Sequence, residues 1–273
     1  MGKFDGILLC TDLDGTLFKN DKTVSRENLD AIAYFKREGG AFAFITGRMP
    51  CYVGRVYDVV RPNVPYGCAN GGAVYDGERG EYIYACHLDE RVFDLVAAVD
   101  EHFPHIGIEV STDFAAYFYK DNRMMEYFRA ITGLPNLRAH YREIGEPVAK
   151  VLLTAEDPSD IPALADFLCA HPLAAGLALV RSEKHLFEIQ PQESTKGNGL
   201  IKLAAHLGIP IGRTVAVGDY DNDVTMLRAA GVGVAVANAS PAARAAADRV
   251  TVSNEEHALA RVIADIESGA IAL

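Results

Sequence analysis

The pattern of apolar and polar positions over the first sixty residues predicts a parallel sheet covered by helices. Apolar runs at 6–11 and 41–45 are short and uninterrupted, as in strands buried on both faces. The amphipathic stretch 26–38 between them follows Ser25, a residue that caps helices well, and precedes a glycine pair that ends them. The start of the chain therefore has the strand–helix–strand rhythm of an α/β fold.

A second rhythm begins after residue 84. A strand near 64–69 leads into a predicted hairpin, and residues 86–190 then predict strands in adjacent pairs, the pattern of an antiparallel element. Strand–helix alternation resumes from Ser194 and includes a predicted helix over 255–267. The predicted fold is α/β, with a Rossmann-like parallel-sheet core at 1–84 and 191–273 and an inserted α+β cap domain at 85–190.

The net charge and the cysteine pattern argue against several classes of partner and binding site. The formal net charge is -11, whereas binding to nucleic acid or an anionic membrane requires a clustered basic surface. No apolar run approaches the roughly 20 residues of a membrane helix. The five cysteines have no C-x-x-C spacing, which predicts neither a disulfide framework nor a zinc site. We therefore expect a cytoplasmic protein without nucleic-acid or membrane partners, and the sequence leaves its oligomeric state open.

Two carboxylates, Asp12 and Asp14, directly follow the first predicted strand. Open α/β sheets place their ligands at this end of the strands, and residues two apart in a strand point to the same side. Adjacent carboxylates repel, and the arrangement is tolerable when a divalent cation neutralises them or when one of them carries a proton. In this interpretation Gly15 lets the chain turn away closely, and Thr16 can form a local hydrogen bond.

A second acidic segment, 218–223, follows the apolar strand predicted at 214–218. Carboxylate oxygens suit Mg²⁺, which takes a few such ligands and keeps several waters. The segment lacks the glycine and the distant glutamate of an EF-hand loop. The sequence therefore predicts a magnesium site between two strand ends.

Groups that could hold phosphate follow other predicted strands. Thr46-Gly47-Arg48 ends the second strand, where a hydroxyl and backbone N–H groups can bind phosphate oxygens. Lys196 opens a helix and could pair with a carboxylate and a phosphate. Either segment alone is compatible with a solvent-exposed surface, but all four strand-end segments together predict phosphoryl transfer.

Taken together, these residues match the motifs of a known family. The sequence resembles the haloacid dehalogenase superfamily and, within it, the Cof-like phosphatases. The residues that carry the resemblance form four motifs and one further segment: Asp12-Leu13-Asp14-Gly15-Thr16, Thr46-Gly47-Arg48, Lys196, Gly218-Asp219-Tyr220-Asp221-Asn222-Asp223, and Asn70-Gly71-Gly72-Ala73. The position of the insert, between the second and third motifs, is similar to that of the large α/β cap class.

The resemblance implies Mg²⁺-dependent hydrolysis of a small phosphorylated metabolite, with sugar phosphates as the favoured class, through an aspartyl-phosphate. It implies that Asp12 attacks phosphorus and that Asp14 protonates the leaving alcohol and later activates water. The implied Mg²⁺ ligands are Asp12, Asp219 and the backbone carbonyl of Asp14, with Asp223 as an indirect contact. The implied substrate-binding residues are Thr46, Gly47, Arg48, Asn70, Gly71, Lys196 and Asn222.

Several points stay open on the sequence alone. Val236-Ala237-Asn238-Ala239 stands where Cof-like chains often have Met-Gly-Asn-Ala, and Glu256-His257 replaces a late Asp-Gly pair. A phosphomutase of the same superfamily and a phospho-acceptor or binding protein are the alternative functions. We expect the cap to close over the core and to select the substrate, with these candidate side chains: Arg123, Arg181, Lys184, His185 and Glu188.

Overall fold

The computed structural model describes residues 2–273, apart from the side chain of Arg55. The strands of the described residues are β1 Leu8–Thr11, β2 Ala41–Phe44, β3 Tyr66–Cys68, β4 Ala73–Asp76, β5 Glu81–Ala85, β6 Gly107–Thr112, β7 Ala116–Lys120, β8 Val148–Thr154, β9 Leu177–Glu183, β10 Leu186–Pro191, β11 Thr214–Gly218, β12 Val232–Ala235 and β13 Arg249–Val250. The α-helices are α1 Arg26–Arg37, α2 Gly54–Val60, α3 Arg91–His102, α4 Arg123–Thr132, α5 Asp160–Ala170, α6 Lys196–His206, α7 Val224–Ala229, α8 Pro241–Ala246 and α9 Ala258–Glu267.

The chain separates into two compact units, and the first comprises residues up to Gly47, Arg55–Tyr84 and Thr195–Leu273. Its main sheet has the order β13-β12-β11-β1-β2, and the paired strands are parallel. The predicted parallel-sheet core is therefore confirmed. The chain leaves β1 toward β2 on one side and returns to β11 on the other, which makes the end of β1 a topological switch point.

Local sequence explains the elements next to this switch point. All four residues of β1 are buried, as its apolar run predicts. The Ser25 side chain accepts a hydrogen bond from the N–H of Asn28, which caps α1, and Gly39 follows the helix with a φ of 89°. The predicted hairpin near Tyr84 is part of a three-stranded sheet in the order β3-β4-β5.

The second unit comprises Arg48–Gly54 and Ala85–Ser194. Its sheet has the order β7-β6-β8-β10-β9, with antiparallel pairing throughout. One face packs on α3 and α5 in an apolar cluster that includes Val110, Val151 and Ile189. This is the α+β element that the sequence predicts.

Three details differ from the predicted elements. Residues 48–54 lie with the second unit, where Tyr52 Oη is 2.7 Å from Ser111 Oγ. The helix predicted near 50–60 is a 3₁₀ turn over Pro50–Tyr52 followed by α2. The helix predicted over 255–267 begins at Ala258, because His257 has a left-handed φ of 62° that an α-helix cannot contain. Among the described helices, none is long and apolar enough to cross a membrane.

Candidate active site

The adjacent ends of β1 and β11 bring together carboxylates that are far apart in sequence. Asp12 follows β1, and its N–H donates to the carbonyl oxygen of Val217 in β11 at 2.8 Å. Asp219 directly follows β11, and Asp223 lies in the 3₁₀ turn behind it. Carboxylate oxygens of Asp12, Asp219 and Asp223 lie within 4.8 Å of one another. The register of two parallel strands thus produces an acidic cluster at the switch point.

Lys196 supplies the positive charge of this cluster. It is the first residue of α6, and the Thr195 side chain caps that helix. Lys196 Nζ donates to Asp12 Oδ1 at 2.5 Å and to Asp223 Oδ1 at 2.6 Å, and the residue is only 1% exposed. Burial acts to lower the pKa of Lys196, but Asp12 and Asp223 outweigh burial and raise it. Lys196 is therefore a buried ammonium group in the cluster, and the solvated alternative is excluded.

The cluster combines three carboxyl groups with the one ammonium group of Lys196. Burial raises the pKa of Asp12 well above its usual range, although Lys196 acts to lower it. Burial also raises the pKa of Asp219 to about 6, against a lowering hydrogen bond from Thr16. Both shifts indicate that further positive charge is needed if these carboxylates are to be ionised together. Hard carboxylate oxygens in this arrangement fit a divalent metal ion.

Both carboxylate oxygens of Asp223 accept hydrogen bonds that stabilise the site. Oδ1 accepts from Lys196, while Oδ2 accepts from the backbone N–H groups of Asp219 and Tyr220 at 2.9 and 3.0 Å. These contacts hold Lys196 and the chain of Asp219 in place. Asp12 and Asp219 are consequently better candidates for direct metal ligands than Asp223.

Thr16 and Gly15 both help to position Asp219. For Thr16 this differs from the local hydrogen bond that the sequence suggests. The Thr16 hydroxyl does not form a local hydrogen bond; it donates to Asp219 Oδ1 at 2.7 Å. A Cβ atom on Gly15 would lie 2.5 Å from Asp219 Oδ2, and the glycine has a φ of 85°. The loop after β1 therefore positions a carboxylate that follows β11, a long-range contact that residue spacing does not reveal.

Asp14 is more exposed than Asp12 and has a different charged partner. Its Oδ1 accepts from Lys22 Nζ at 2.8 Å, and 38% of the Asp14 side chain is exposed. Asp14 lies near enough to Asp219 to contribute to the raised pKa of that residue. Sequence reasoning missed Lys22. The Asn20-Asp21 turn signal before it, which suggests that the chain folds back, is the clue that could have identified it.

Asn70 joins the second and fourth motifs. It is buried, with a left-handed φ of 53°, and its N–H donates to the carbonyl oxygen of Thr46 at 2.9 Å. Asn70 Oδ1 accepts from Asn222 Nδ2 at 3.2 Å, and a Cβ atom on Gly47 would lie 2.9 Å from the same oxygen. A Cβ atom on Gly71 would lie 2.1 Å from the carbonyl oxygen of Thr195. The structure thus brings these five predicted residues together, and Gly71 lies against Thr195, the residue that caps α6.

The remaining predicted residues lie in the second unit. Arg48 is the first residue of that unit. The Arg181 guanidinium donates to the carbonyl oxygens of Glu183 and Lys184 in its own hairpin, and His185 Nδ1 lies 3.0 Å from the carbonyl oxygen of Ala155. Glu188, in contrast, is buried and accepts from Lys150 at 2.9 Å.

Comparison with known sequences decides the family. The sequence matches the haloacid dehalogenase-like hydrolases over residues 9–263. The chain belongs to that family. The match confirms the predicted membership of the haloacid dehalogenase superfamily and the predicted hydrolase class.

Two Bacillus subtilis relatives place the chain among the phosphatases of the family. The 5-amino-6-(5-phospho-D-ribitylamino)uracil phosphatase YitU is 32% identical over 94% of this chain and 96% of its own length. Phosphatase YwpJ is 30% identical over 94% of this chain and 98% of its own length. These relatives confirm the expectation of a Cof-like phosphatase.

A solved structure agrees with the fold. A haloacid dehalogenase-like hydrolase from Bacteroides thetaiotaomicron superposes with a TM-score of 0.85 at 25% identity, over 95% of this chain and 99% of the other. The parallel core and the added antiparallel unit are therefore features that this chain shares with a solved haloacid dehalogenase-like hydrolase.

Proposed function

We propose that the protein hydrolyses small phosphomonoesters with Mg²⁺ and that Asp12 is the nucleophile. The observation that carries this proposal is the position of Asp12, buried at the switch point, 2.5 Å from Lys196 and beside Asp219. Lys196 contacts one Asp12 oxygen, which orients the carboxylate and favours its ionised form.

In the first step Asp12 attacks phosphorus, the bond between phosphorus and the leaving oxygen breaks, and Asp14 donates a proton to that oxygen. In the second step Asp14 accepts a proton from water as the water attacks the aspartyl-phosphate, which releases phosphate and regenerates Asp12. The exposure of Asp14 supports this role, because the residue has to exchange protons with an alcohol and with water.

The other site residues hold the transferring group. Lys196 offers positive charge to the phosphoryl oxygens, and Thr46, Gly47 and Asn222 are proposed to donate hydrogen bonds to them. Asn70 accepts from Asn222 and contacts Gly47, so we assign it a positioning role. Arg48 remains a proposed substrate contact.

Asp12, Asp219 and the backbone carbonyl of Asp14 are proposed to hold Mg²⁺. When bound, the ion supplies positive charge to the phosphoryl oxygens and lowers the repulsion between nucleophile and substrate. Thr16 and Gly15 fix Asp219 for this purpose.

We propose a phosphorylated sugar or polyol as the substrate class. The name of the YitU relative specifies a phosphoryl group on a ribitylamino chain. This likeness supports a hydroxylated phosphomonoester here, without specifying which one.

Phosphate release from a panel of sugar phosphates and other small phosphomonoesters, with and without Mg²⁺, tests the proposal. We expect Mg²⁺-dependent turnover by the wild type and its loss in Asp12→Asn. The exposed Asp30→Asn serves as a matched control and should retain activity. Equal turnover by Asp12→Asn and the wild type would refute the assigned nucleophile.

A further inference from the structure

The surface loop over residues 18–23 is anchored to two residues that precede α9 in the same compact unit. The amide nitrogen of Asn254, which is only 3% exposed, donates to the carbonyl oxygen of Phe18 at 3.0 Å and to Asn20 Oδ1 at 3.2 Å. The Asn20 N–H donates to Glu255 Oε1 at 2.7 Å. These contacts hold the first half of the loop in place.

Hydrogen bonds within the loop determine the turn that follows. The Lys19 N–H donates to the carbonyl oxygen of Thr23, and the Lys22 N–H donates to that of Lys19, both at 2.9 Å. The N–H and the hydroxyl of Thr23 donate to Asp21 Oδ1 at 3.0 and 2.6 Å. Lys22 has a φ of 64°, in the left-handed region that is unfavourable for a residue with a Cβ atom. The loop therefore holds the backbone of Lys22 in a strained conformation.

This backbone conformation directs the Lys22 side chain to the proposed acid/base residue. Lys22 Nζ donates to Asp14 Oδ1 at 2.8 Å, and the two side chains are 67% and 38% exposed. Ion pairs with this much exposure contribute little to the stability of a fold. Strained backbone that stability does not explain is concentrated at functional sites. The contact therefore indicates a role in the chemistry of Asp14.

The contact also specifies which oxygen of Asp14 carries the proton. An ammonium group has only hydrogen-bond donors, so the oxygen that it contacts acts as an acceptor. In a protonated carboxyl group one oxygen can accept in this way while the other carries the proton. As long as Lys22 contacts Oδ1, the proton of Asp14 is on Oδ2. Rotation of the carboxyl group would break the contact, which keeps Oδ2 in one orientation.

We propose that Lys22 is a positioning residue that orients Asp14 for proton transfer through Oδ2. The proposal rests on the proposed phosphatase function and adds to it a residue outside the four motifs. As Asp12 forms its bond to phosphorus, the proton passes from Asp14 Oδ2 to the leaving oxygen, whose bond to phosphorus breaks. When water attacks the aspartyl-phosphate, Oδ2 takes the proton from that water. Lys22 acts only through Asp14.

The basicity of the leaving group separates this role from a purely structural one. The alkoxide of a sugar has to be protonated as it leaves, whereas p-nitrophenolate and acetate leave as stable anions. The parameter kcat/KM includes the steps up to the formation of the aspartyl-phosphate and the departure of the leaving group. Loss of the orientation of Asp14 should therefore reduce kcat/KM for sugar phosphates much more than for p-nitrophenyl phosphate or acetyl phosphate.

The experiment measures kcat/KM for the sugar phosphate that the wild type hydrolyses best and for the two activated compounds. General acid catalysis typically contributes about 10²–10⁴-fold, and a misoriented acid loses part of that contribution. Lys22→Met should lower kcat/KM roughly tenfold for the sugar phosphate and less than about threefold for the activated compounds. Lys22→Arg keeps a charged donor and should stay within about threefold of the wild type for all three.

Lys19→Met is the matched control, because it removes the same charge from the same loop. Lys19 Nζ lies 3.5 Å from Glu255 Oε2, and the backbone hydrogen bonds of Lys19 do not depend on its side chain. The ratio of kcat/KM between the sugar phosphate and the activated compounds should remain that of the wild type. A ratio that changes as much as in Lys22→Met would overturn the assignment to Lys22.

Equal losses for the sugar phosphate and the activated compounds in Lys22→Met would show a structural role and overturn the proposal. An unchanged kcat/KM for the sugar phosphate would also overturn it, as would a Lys22→Arg variant as impaired as Lys22→Met. If the wild type hydrolyses neither activated compound, the variant Asp14→Asn decides. Adding Lys22→Met to Asp14→Asn should cause no further loss with the sugar phosphate, and a further loss would overturn the proposal.

Failure of the proposed function gives a different result from failure of this inference. A wild type that hydrolyses none of the compounds refutes the function, and the inference with it. A wild type that hydrolyses the sugar phosphate, together with a Lys22→Met variant that shows no dependence on the leaving group, refutes the inference alone.

Discussion

At the scale of single residues, the site depends on side chains that position the reacting groups. Thr16 donates to Asp219, and Asp223 accepts from Lys196 and from two backbone N–H groups. Such supporting contacts orient the side chains that bind a metal ion. Their removal should therefore change metal affinity more than it changes the fold.

The substitution Thr16→Val tests whether the contact between Thr16 and Asp219 supports metal binding. The substitution removes the hydrogen bond to Asp219 while it keeps the shape of the side chain, so the affinity for Mg²⁺ should fall by at least about tenfold. The Mg²⁺ dependence of phosphate release gives the measurement. Thr251→Val is the matched control, because the Thr251 hydroxyl is buried without a hydrogen-bond partner among the described residues. Equal Mg²⁺ dependence in both variants would contradict the role of Thr16.

The residue scale also shows what the sequence could predict about the site. Asp12, Asp219 and Lys196 follow recognisable apolar strands or open a helix, so their proximity could be inferred from the topology of parallel sheets. The contacts of Thr16 with Asp219 and of Lys22 with Asp14 could not be inferred from the sequence, because they depend on the path of a loop. The buried side-chain oxygen of Gln190 has no hydrogen-bond partner among the described residues. The sequence could not predict this either, since it depends on the orientation of one amide group.

At the scale of elements, close packing between the turn at Ala69–Gly71 and the start of α6 holds the phosphate-binding candidates together. Gly71 has a φ of 84°, and Asn70 before it is also left-handed. The backbone of Gly71 lies against Thr195, the capping residue of α6. A side chain at position 71 would therefore displace the helix that carries Lys196.

Gly71→Ala should lower the free energy of unfolding by more than about 2 kcal/mol, because a clash with the Thr195 carbonyl adds to left-handed strain. Gly133→Ala isolates the strain, since Gly133 has a φ of 70° and open space around it, and should cost about 1 kcal/mol. Gly145→Ala, with neither feature, should be nearly neutral. Urea unfolding measures all three, and equal losses for Gly71→Ala and Gly133→Ala would rule out the clash.

Periodicity predicted most elements because the buried strands and amphipathic helices have strong patterns. It was less successful where local backbone geometry decides. His257 delays the start of α9, and Pro50–Tyr52 forms a 3₁₀ turn in place of the beginning of α2. The association of residues 48–54 with the second unit depends on the contact between Tyr52 and Ser111, which has no local signal.

At the scale of the whole molecule, buried charge makes stability depend on pH. Burial raises the pKa of Glu109 above its ordinary value of 4.5. The folded protein therefore binds a proton there that the unfolded chain releases above about pH 4.5. Since the unfolded state then binds fewer protons, the contribution of this residue to stability falls as pH rises through the raised pKa.

Glu109→Gln should remove this contribution, so the free energy of unfolding should decline less than in the wild type as the pH rises above about 4.5. The maximum difference in slope is about 1.4 kcal/mol per pH unit for one proton. Urea unfolding at several pH values measures the slope. Glu126→Gln, at an exposed position, serves as the control and should keep the wild-type slope. A slope in Glu109→Gln equal to that of the wild type would contradict the raised pKa of the buried Glu109 carboxyl group.

The central claim is that Asp12 becomes phosphorylated during turnover. Its most direct test is an acid quench during the first turnover with a hydrolysed phosphomonoester and Mg²⁺, followed by mass spectrometry of the peptide that contains residue 12. We predict one phosphoryl group on Asp12. Phosphate release from a fully active protein with no phosphorylated Asp12 at any time point, or with the group on another residue, would contradict the account.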